Sequence, residues 1–427
     1  MRSVTPGKPL YAVTGIFDSA PFGLAPAGTP LWHTRFDNFA PRAGAAFQFT
    51  PQTVLRGGFG RYYDLGYGGG LSGTMIWFPY YTADGVSGPI PFSLTNRAFQ
   101  PPGLTLTPGM GTAYIDAVDP HLKVPFTYEW NVAVQRGLGV NQSVSATYVG
   151  AHGDNLLRED TIISTAAYDT FATHNGDWSN YNALQLQFQR RMARGFQALV
   201  SYTLAKSTDT ASDDTDGGIW TTSLSNVNVA SDLGPSRFDV RNSFSAAVSW
   251  QIPSPRWNGP SDALLRNWQI DSIVRISSPT PYGVRANVNS PIFYETRPDI
   301  VPGVPFYLAV PGQPGGRSLN PAAFTAPPAG QYGDLPRNYF RGFPIDQTDL
   351  SLRRQFHLTE RASLFLGAEY FNVFNHPMFA AALNNTVLGY PSFGQITQTL
   401  NEDLGVLNPL YQIGGPRSGQ LTIKILF

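Results

Sequence analysis

The chain has 427 residues, enough for several soluble domains or one large barrel, and its Lys+Arg and Asp+Glu counts balance at 29 each. That balance leaves no charged field for nucleic acid, and the lack of cysteine removes disulfides, thiol nucleophiles and thiolate metal sites. Charged residues are only 14% while aromatics reach 13%, and no apolar run approaches the roughly 18 to 20 residues of a transmembrane helix.

Residues 1–40 read as an N-terminal loop or partial strand segment, and Met1 to Pro9 lacks the apolar core of a secretory signal. From residue 41 onward, segments of period two recur. In 127–137 the even positions are Tyr128, Trp130, Val132 and Val134. In 181–192, Leu184, Leu186 and Phe188 oppose Gln185, Gln187, Gln189 and Arg191. Phe196, Ala198, Val200, Tyr202 and Leu204 share one side of 196–207, and Phe244, Ala246, Val248 and Trp250 one side of 239–252. The last stretch, 419–427, sets Leu421, Ile423, Ile425 and Phe427 against Gln420, Thr422 and Lys424. With 41–49, 53–64, 142–151, 267–279, 347–356 and 362–375, this makes about eleven strands of bilayer-spanning length.

The connections alternate in length. Short turns fall near Thr50-Pro51-Gln52, at 137–141, at Ala193-Arg194-Gly195 and at 357–360, with a longer one over 253–266. Between them lie polar or Gly/Pro-rich stretches at 65–126, 153–180, 208–238, 280–346 and 376–418, which read as long loops. The expected fold is all-β: a transmembrane antiparallel β-barrel with short periplasmic turns, long extracellular loops and an apolar-out, polar-in alternation. Arg56, Glu129, Arg191, Asp271, Arg275, Arg353 and Glu369 then point inward, to line a lumen or meet a plug. Trp130, Tyr148, Tyr202, Trp250, Trp268 and Phe427 point outward as interfacial girdles. Such a chain starts outside and ends inside, an odd strand number where a bacterial barrel has an even one. The expectation is therefore that 41–427 is the C-terminal part of a longer barrel.

Six stretches, in order, carry a resemblance: 41–47 (PRAGAAF), 54–64 (VLRGGFGRYYD), 181–185 (YNALQ), 201–207 (SYTLAKS), 237–241 (RFDVR) and 369–377 (EYFNVFNHP). As a set they resemble the TonB-dependent receptor-like proteins of the Oar type. The resemblance implies a barrel of roughly 22 strands, with this chain as its C-terminal half. It also implies a signal peptide, a carboxypeptidase-regulatory-like sandwich and a plug, none found in these residues. The implied place is the outer membrane of a Gram-negative bacterium, and the implied function is uptake of a large ligand. The implied partners are outer-membrane lipid, the upstream plug and remaining strands, the TonB complex through the missing N-terminal parts only, and the barrel-assembly machinery. That machinery would read the terminal strand at Leu421, Ile423, Ile425 and Phe427. Two alternatives stand beside uptake: an Oar-like surface adhesion or export barrel, and a soluble secreted β-rich binding protein.

Little points to chemistry. Asp213-Asp214-Thr215-Asp216-Gly217-Gly218 resembles a calcium loop in composition, but lacks its spaced ligands and closing Glu. The six histidines show no metal-ligand spacing, Gly66 to Gly73 precedes no helix to hold a phosphate, and Glu402-Asp403 lies in loop sequence. No nucleophile-elbow, zincin or Walker pattern occurs. The expectation is a non-enzyme without cofactor or metal.

Overall fold

The computed structural model describes residues 12–18, 20–26, 28–64, 113–163, 168–212, 223–224, 229–253, 266–289, 293–329, 331–379, 386–400 and 413–427. Its framework is one antiparallel path of strands, each paired with the next in sequence. These are β1 (Arg42–Thr50), β2 (Thr53–Tyr63), β3 (Phe126–Gly137), β4 (Gln142–Ile163), β5 (Tyr168–Ala193), β6 (Phe196–Asp209), β7 (Asn242–Gln251), β8 (Trp268–Ser277), β9 (Ile345–His357), β10 (Ser363–Phe371) and β11 (Ser418–Leu426). Three short strands join it at the side: Ala113–Val118 against β5, Ser223–Leu224 against β4 and Gly234–Pro235 against β6. The outermost strands, β1 and β11, each have one strand neighbour among the described residues. Among these residues, no helix is long and apolar enough to cross a membrane.

The register explains why these residues form a sheet with two unlike faces. Side chains alternate along each strand, so partners in register share a face. One row runs Phe47, Leu55, Val134, Ala146, Leu186, Tyr202, Phe244, Ile276 across eight strands. Another runs Phe196, Trp250, Ile270, Leu352, Ala368, Leu421. The opposite face reads Gln135, Ser145, Gln187, Ser201, Ser245, Arg275, Gln347 in one row. The apolar face stays open: Leu421 is 80% and Ile423 75% exposed, and Phe427 is 99% exposed. A soluble protein rarely leaves so continuous an apolar surface uncovered. One glycine on this face is covered by a ring. A Cβ at Gly150 would lie 2.3 Å from the Trp130 indole, which therefore covers that backbone.

Turn chemistry sets the two edges of the sheet. At Ala193–Phe196, Arg194 and Gly195 both have positive φ (52° and 75°), the twist that a two-residue hairpin requires. The β1–β2, β3–β4 and β9–β10 connections lie on the same edge and are likewise short. The β7–β8 connection, 252–267, is a longer one on that edge, and the β2–β3, β6–β7, β8–β9 and β10–β11 connections, longer still, lie on the other.

Two loop expectations need correction. The stretch 153–180 is mostly strand, because β4 and β5 extend to 22 and 26 residues and pair with each other. The stretch 280–346 is not an irregular loop. It contains short strand pairs and an apolar core of Tyr282, Val284, Leu319, Ala323, Phe324, Leu335 and Phe340, which Phe393 joins from the 376–418 stretch. Near the N-terminus, Val13–Thr14 pairs with Gly23–Leu24, and Val13 packs on Ile115 and Ala117.

Candidate functional site

The polar face is built by alternation alone. Arg56 is in register with Ala133, and Glu129 with Gly60 and Ala151. Asp271 pairs with Ser249 and Ser351, and Arg275 with Ser245 and Gln347. Arg353 faces Gln269 and Gly367, while Glu369 faces Ser351 and Gln420. Arg191 follows Gln185, Gln187 and Gln189 on the same side of β5. All seven inward candidates thus share one face, and Trp130, Tyr148, Tyr202, Trp250 and Trp268 lie on the other.

Part of this charge is already satisfied. Arg353 Nε meets Asp271 Oδ2 at 2.7 Å, the Ser249 hydroxyl donates to Asp271, and Gln269 Nε2 donates to Asp271 Oδ1 at 2.9 Å. Gln420 donates to Glu369. Gln347 Nε2 and the Asn372 backbone N–H both donate to Asp349 Oδ1, each at 2.9 Å. No ion pair among the described residues involves Arg56, Glu129, Arg191 or Arg275, so four charges are free for something beyond the sheet.

The second polar concentration is on the loop edge. A bilayer needs about nine to eleven strand residues, so β4 past about residue 153 and β5 before about residue 180 project beyond it. There Arg158, 2% exposed, binds three carboxylates: Asp160 at 2.7 Å, Asp177 at 3.1 Å and Asp232 at 2.8 Å. Burial works against the Arg158 cation, but Asp177, Asp232 and Asp160 outweigh it and hold its pKa above the ordinary value. Burial also opposes ionisation of Asp160, yet His174 and Arg158 keep that carboxyl below its usual range. His174 in turn is lifted by its 3.0 Å contact to Asp160, against the effect of burial. Burial pushes the Asp177 carboxyl up despite Arg158. Glu159, beside them, is pushed up to about 8 by burial and by the charges of Asp116 and Asp160.

The folded loop unit is pinned to this edge by arginines. Arg337 reaches Asp209 at 2.6 Å, Arg341 reaches Asp239 at 2.5 Å and Arg297 reaches Asp232 at 3.3 Å. Sequence reasoning missed this network because its partners lie up to 128 residues apart. The only local signal was the run Arg158-Glu159-Asp160 inside a supposed loop.

No described group of three or more His, Cys, Asp or Glu is placed to hold a metal ion. The Asp213 to Gly218, Gly66 to Gly73 and Glu402-Asp403 segments lie outside the described residues.

No curated protein matches the sequence. Among solved structures, the fold is similar to the outer membrane transporter YddB from Escherichia coli, at 12% identity and a TM-score of 0.49, over 91% of this chain and 40% of that one. It is similar to the pyoverdine outer membrane receptor FpvA from Pseudomonas aeruginosa at 12% identity and a TM-score of 0.42, over 96% and 37%. The FrpB iron transporter from Neisseria meningitidis gives 11% identity and a TM-score of 0.41, over 91% and 39%. The chain thus spans 40% or less of the length of these proteins. The model of the outer membrane beta barrel domain matches residues 4–405, nearly the whole chain. With an open apolar face and a polar face opposite, the chain belongs to the outer membrane β-barrel domain family.

Proposed function

We propose that the sheet is part of the wall of a TonB-dependent receptor-like uptake barrel of the Oar type, the polar face lining its interior. The observation that carries this reading is the set of free charges, Arg56, Glu129, Arg191 and Arg275, on the face opposite the apolar rows. An interior meant only to be wet needs polarity; free ionic groups along it suit a cargo or a plug. In this reading the short turns are periplasmic, the Arg158 network is extracellular, and energy coupling belongs to parts of the protein upstream of these residues. Family membership places the chain in the outer membrane and sets aside the soluble secreted alternative.

Uptake is tested in cells carrying the full-length gene. Growth on a scarce ligand should fall on deletion and on collapse of the proton-motive force. Unchanged growth in both arms removes the uptake reading. The adhesion or export alternative draws on the folded unit around Tyr282, Phe324 and Phe340, which gives the loop edge a rigid outer body. Deleting that unit would then abolish surface attachment and leave ligand uptake intact.

The terminal strand is assigned a further role in this reading. Leu421, Ile423, Ile425 and Phe427 present an apolar stripe ending in an aromatic, which suits recognition by the barrel-assembly machinery. Phe427→Asp in the full-length protein is expected to lower its outer-membrane level, and wild-type assembly of that variant removes the role.

A further inference from the structure

The arginines on the apolar face of the spanning strands sit toward its two ends. Arg61 is in register with Tyr128 near the loop edge, and Arg136, Arg190 and Arg354 lie toward the short turns. Three of them reach away from the middle of the face. The Arg190 guanidinium donates to the Ala193 carbonyl at 3.3 Å, and Arg354 lies 4.0 Å from the Phe356 ring. Arg61 reaches the other way, toward the row of Tyr63 and Phe126. On β3, Tyr128 and Arg136 are eight residues apart, with Trp130, Val132 and Val134 between them on this face. Eight strand residues measure about 27 Å, or about 20 Å along the membrane normal at a tilt of about 40°. Long side chains reaching outward from both ends make up the rest of an apolar band about 25 Å tall. The Arg61 guanidinium thus stands at headgroup level.

Arg61 lies in a cage of rings. Its Cζ is 3.7 Å from the Phe126 centroid, 4.7 Å from that of Tyr63 and 5.7 Å from that of Tyr128, and Phe59 stacks on Tyr128 in turn. Rings hold a cation without neutralising it. Arg61 Nε is buried without an acceptor, and the side chain forms no hydrogen bond or ion pair among the described residues. Asp37 lies close enough to act on it, but Arg35 holds that carboxylate at 2.5 Å. Asp154 is two strands from Tyr63 and accepts from the Asn155 N–H. On the bilayer side of the cage, Phe59 is 46% and Val132 51% exposed. A half-buried cation without a counter-charge, beside open apolar rows, suits an amphiphile with an anionic head and acyl chains.

We propose that Arg61 and the rings of Phe126, Tyr63 and Tyr128 bind the phosphate of an anionic membrane lipid, whose chains lie over Phe59, Trp130 and Val132. A guanidinium offers a planar fork of N–H donors that matches phosphate oxygens. The site rests on the apolar face meeting lipid and is independent of uptake.

The full-length protein in phosphatidylcholine bilayers carries its own reporter, Trp130, one row from Tyr128 on the bilayer side. Its signal is the part of the emission lost in Trp130→Phe, and lipids with brominated chains quench it on contact. Brominated phosphatidic acid should occupy the lipid sites at Trp130 about fivefold more tightly than brominated phosphatidylcholine, the usual contribution of one basic residue at an anionic surface. Arg61→Gln should bring that preference to about one, and Phe126→Leu, which removes the nearest ring, should at least halve it. Phe126→Leu decides the matter where Arg61→Gln does not assemble. The proposal is overturned by a wild-type preference near one, or by the full preference persisting in Arg61→Gln or, in its place, in Phe126→Leu. It is also overturned if neither lipid quenches Trp130, and the lipid-facing assignment then falls with it.

Discussion

Replacing Leu186 by arginine tests the face assignment at its deepest point. On the apolar face β5 presents Asn182, Leu184, Leu186, Phe188 and Arg190, so Leu186 sits at the middle of the spanning stretch. Its row neighbours are Ala146 and Tyr202, and neither offers a counter-charge. Arginine on the lipid face of a barrel costs about 2–4 kcal/mol at the midplane and little near the interfaces. At about 1.4 kcal/mol per tenfold, that is roughly thirty- to several-hundred-fold in the folding equilibrium. Gln187→Arg, one residue on, projects to the polar face between Ser145 and Ser201 and should cost under about 0.5 kcal/mol. The assay is urea unfolding of the full-length protein in lipid vesicles, read by tryptophan fluorescence. Equal costs for the two variants, or a larger cost for Gln187→Arg, would refute the assignment.

Arg158→Met leaves Asp160, Asp177 and Asp232 without their shared cation. Breaking a buried pair from one side costs about 3–5 kcal/mol, so hydrogen exchange at the tip of the β4–β5 hairpin should accelerate while the spanning rows stay protected. The same tip should loosen as pH rises. The Glu159 carboxyl moves from 4.5 to about 8 on folding, so its stabilising protonated state is fully present below 4.5 and lost as pH passes through 8. His174 is also raised, so its contribution is present below its ordinary 6.5 and lost above its folded value. Intrinsic-rate-corrected exchange should therefore be slower at about pH 5 than at about pH 9, and Glu159→Gln should reduce that difference; the reverse trend would refute it. Gly150→Val places a side chain where the Trp130 indole lies, a clash worth about 1–3 kcal/mol. The expected readout is a shifted tryptophan emission, and an unchanged spectrum and stability would contradict the packing.

The spanning strands were legible because lipid and water impose alternation on every residue. β2, β3, β7, β8 and β9 lie within three residues of their expected ends. Legibility failed where that constraint stops. Beyond residue 152 the chain reads Gly153, Asp154, Asn155, with no alternation, yet β4 continues because β5 runs alongside and pairs with it. Tyr282, Phe324 and Phe340 are scattered among prolines and glycines and meet only in three dimensions. The inward candidates were found by parity, while Arg158 was not, since a buried cation in a polar stretch looks like any solvated one.

The central claim is that one face of this sheet meets lipid and the other meets water. The chain contains no cysteine, so single-cysteine variants from 182 to 190 can each carry one nitroxide label in the full-length protein in vesicles. The account predicts collision rates with dissolved oxygen that peak at Leu184, Leu186 and Phe188, and rates with a water-soluble nickel chelate that peak at Gln185, Gln187 and Gln189. A profile without period two, or one with the two peaks exchanged, would contradict it.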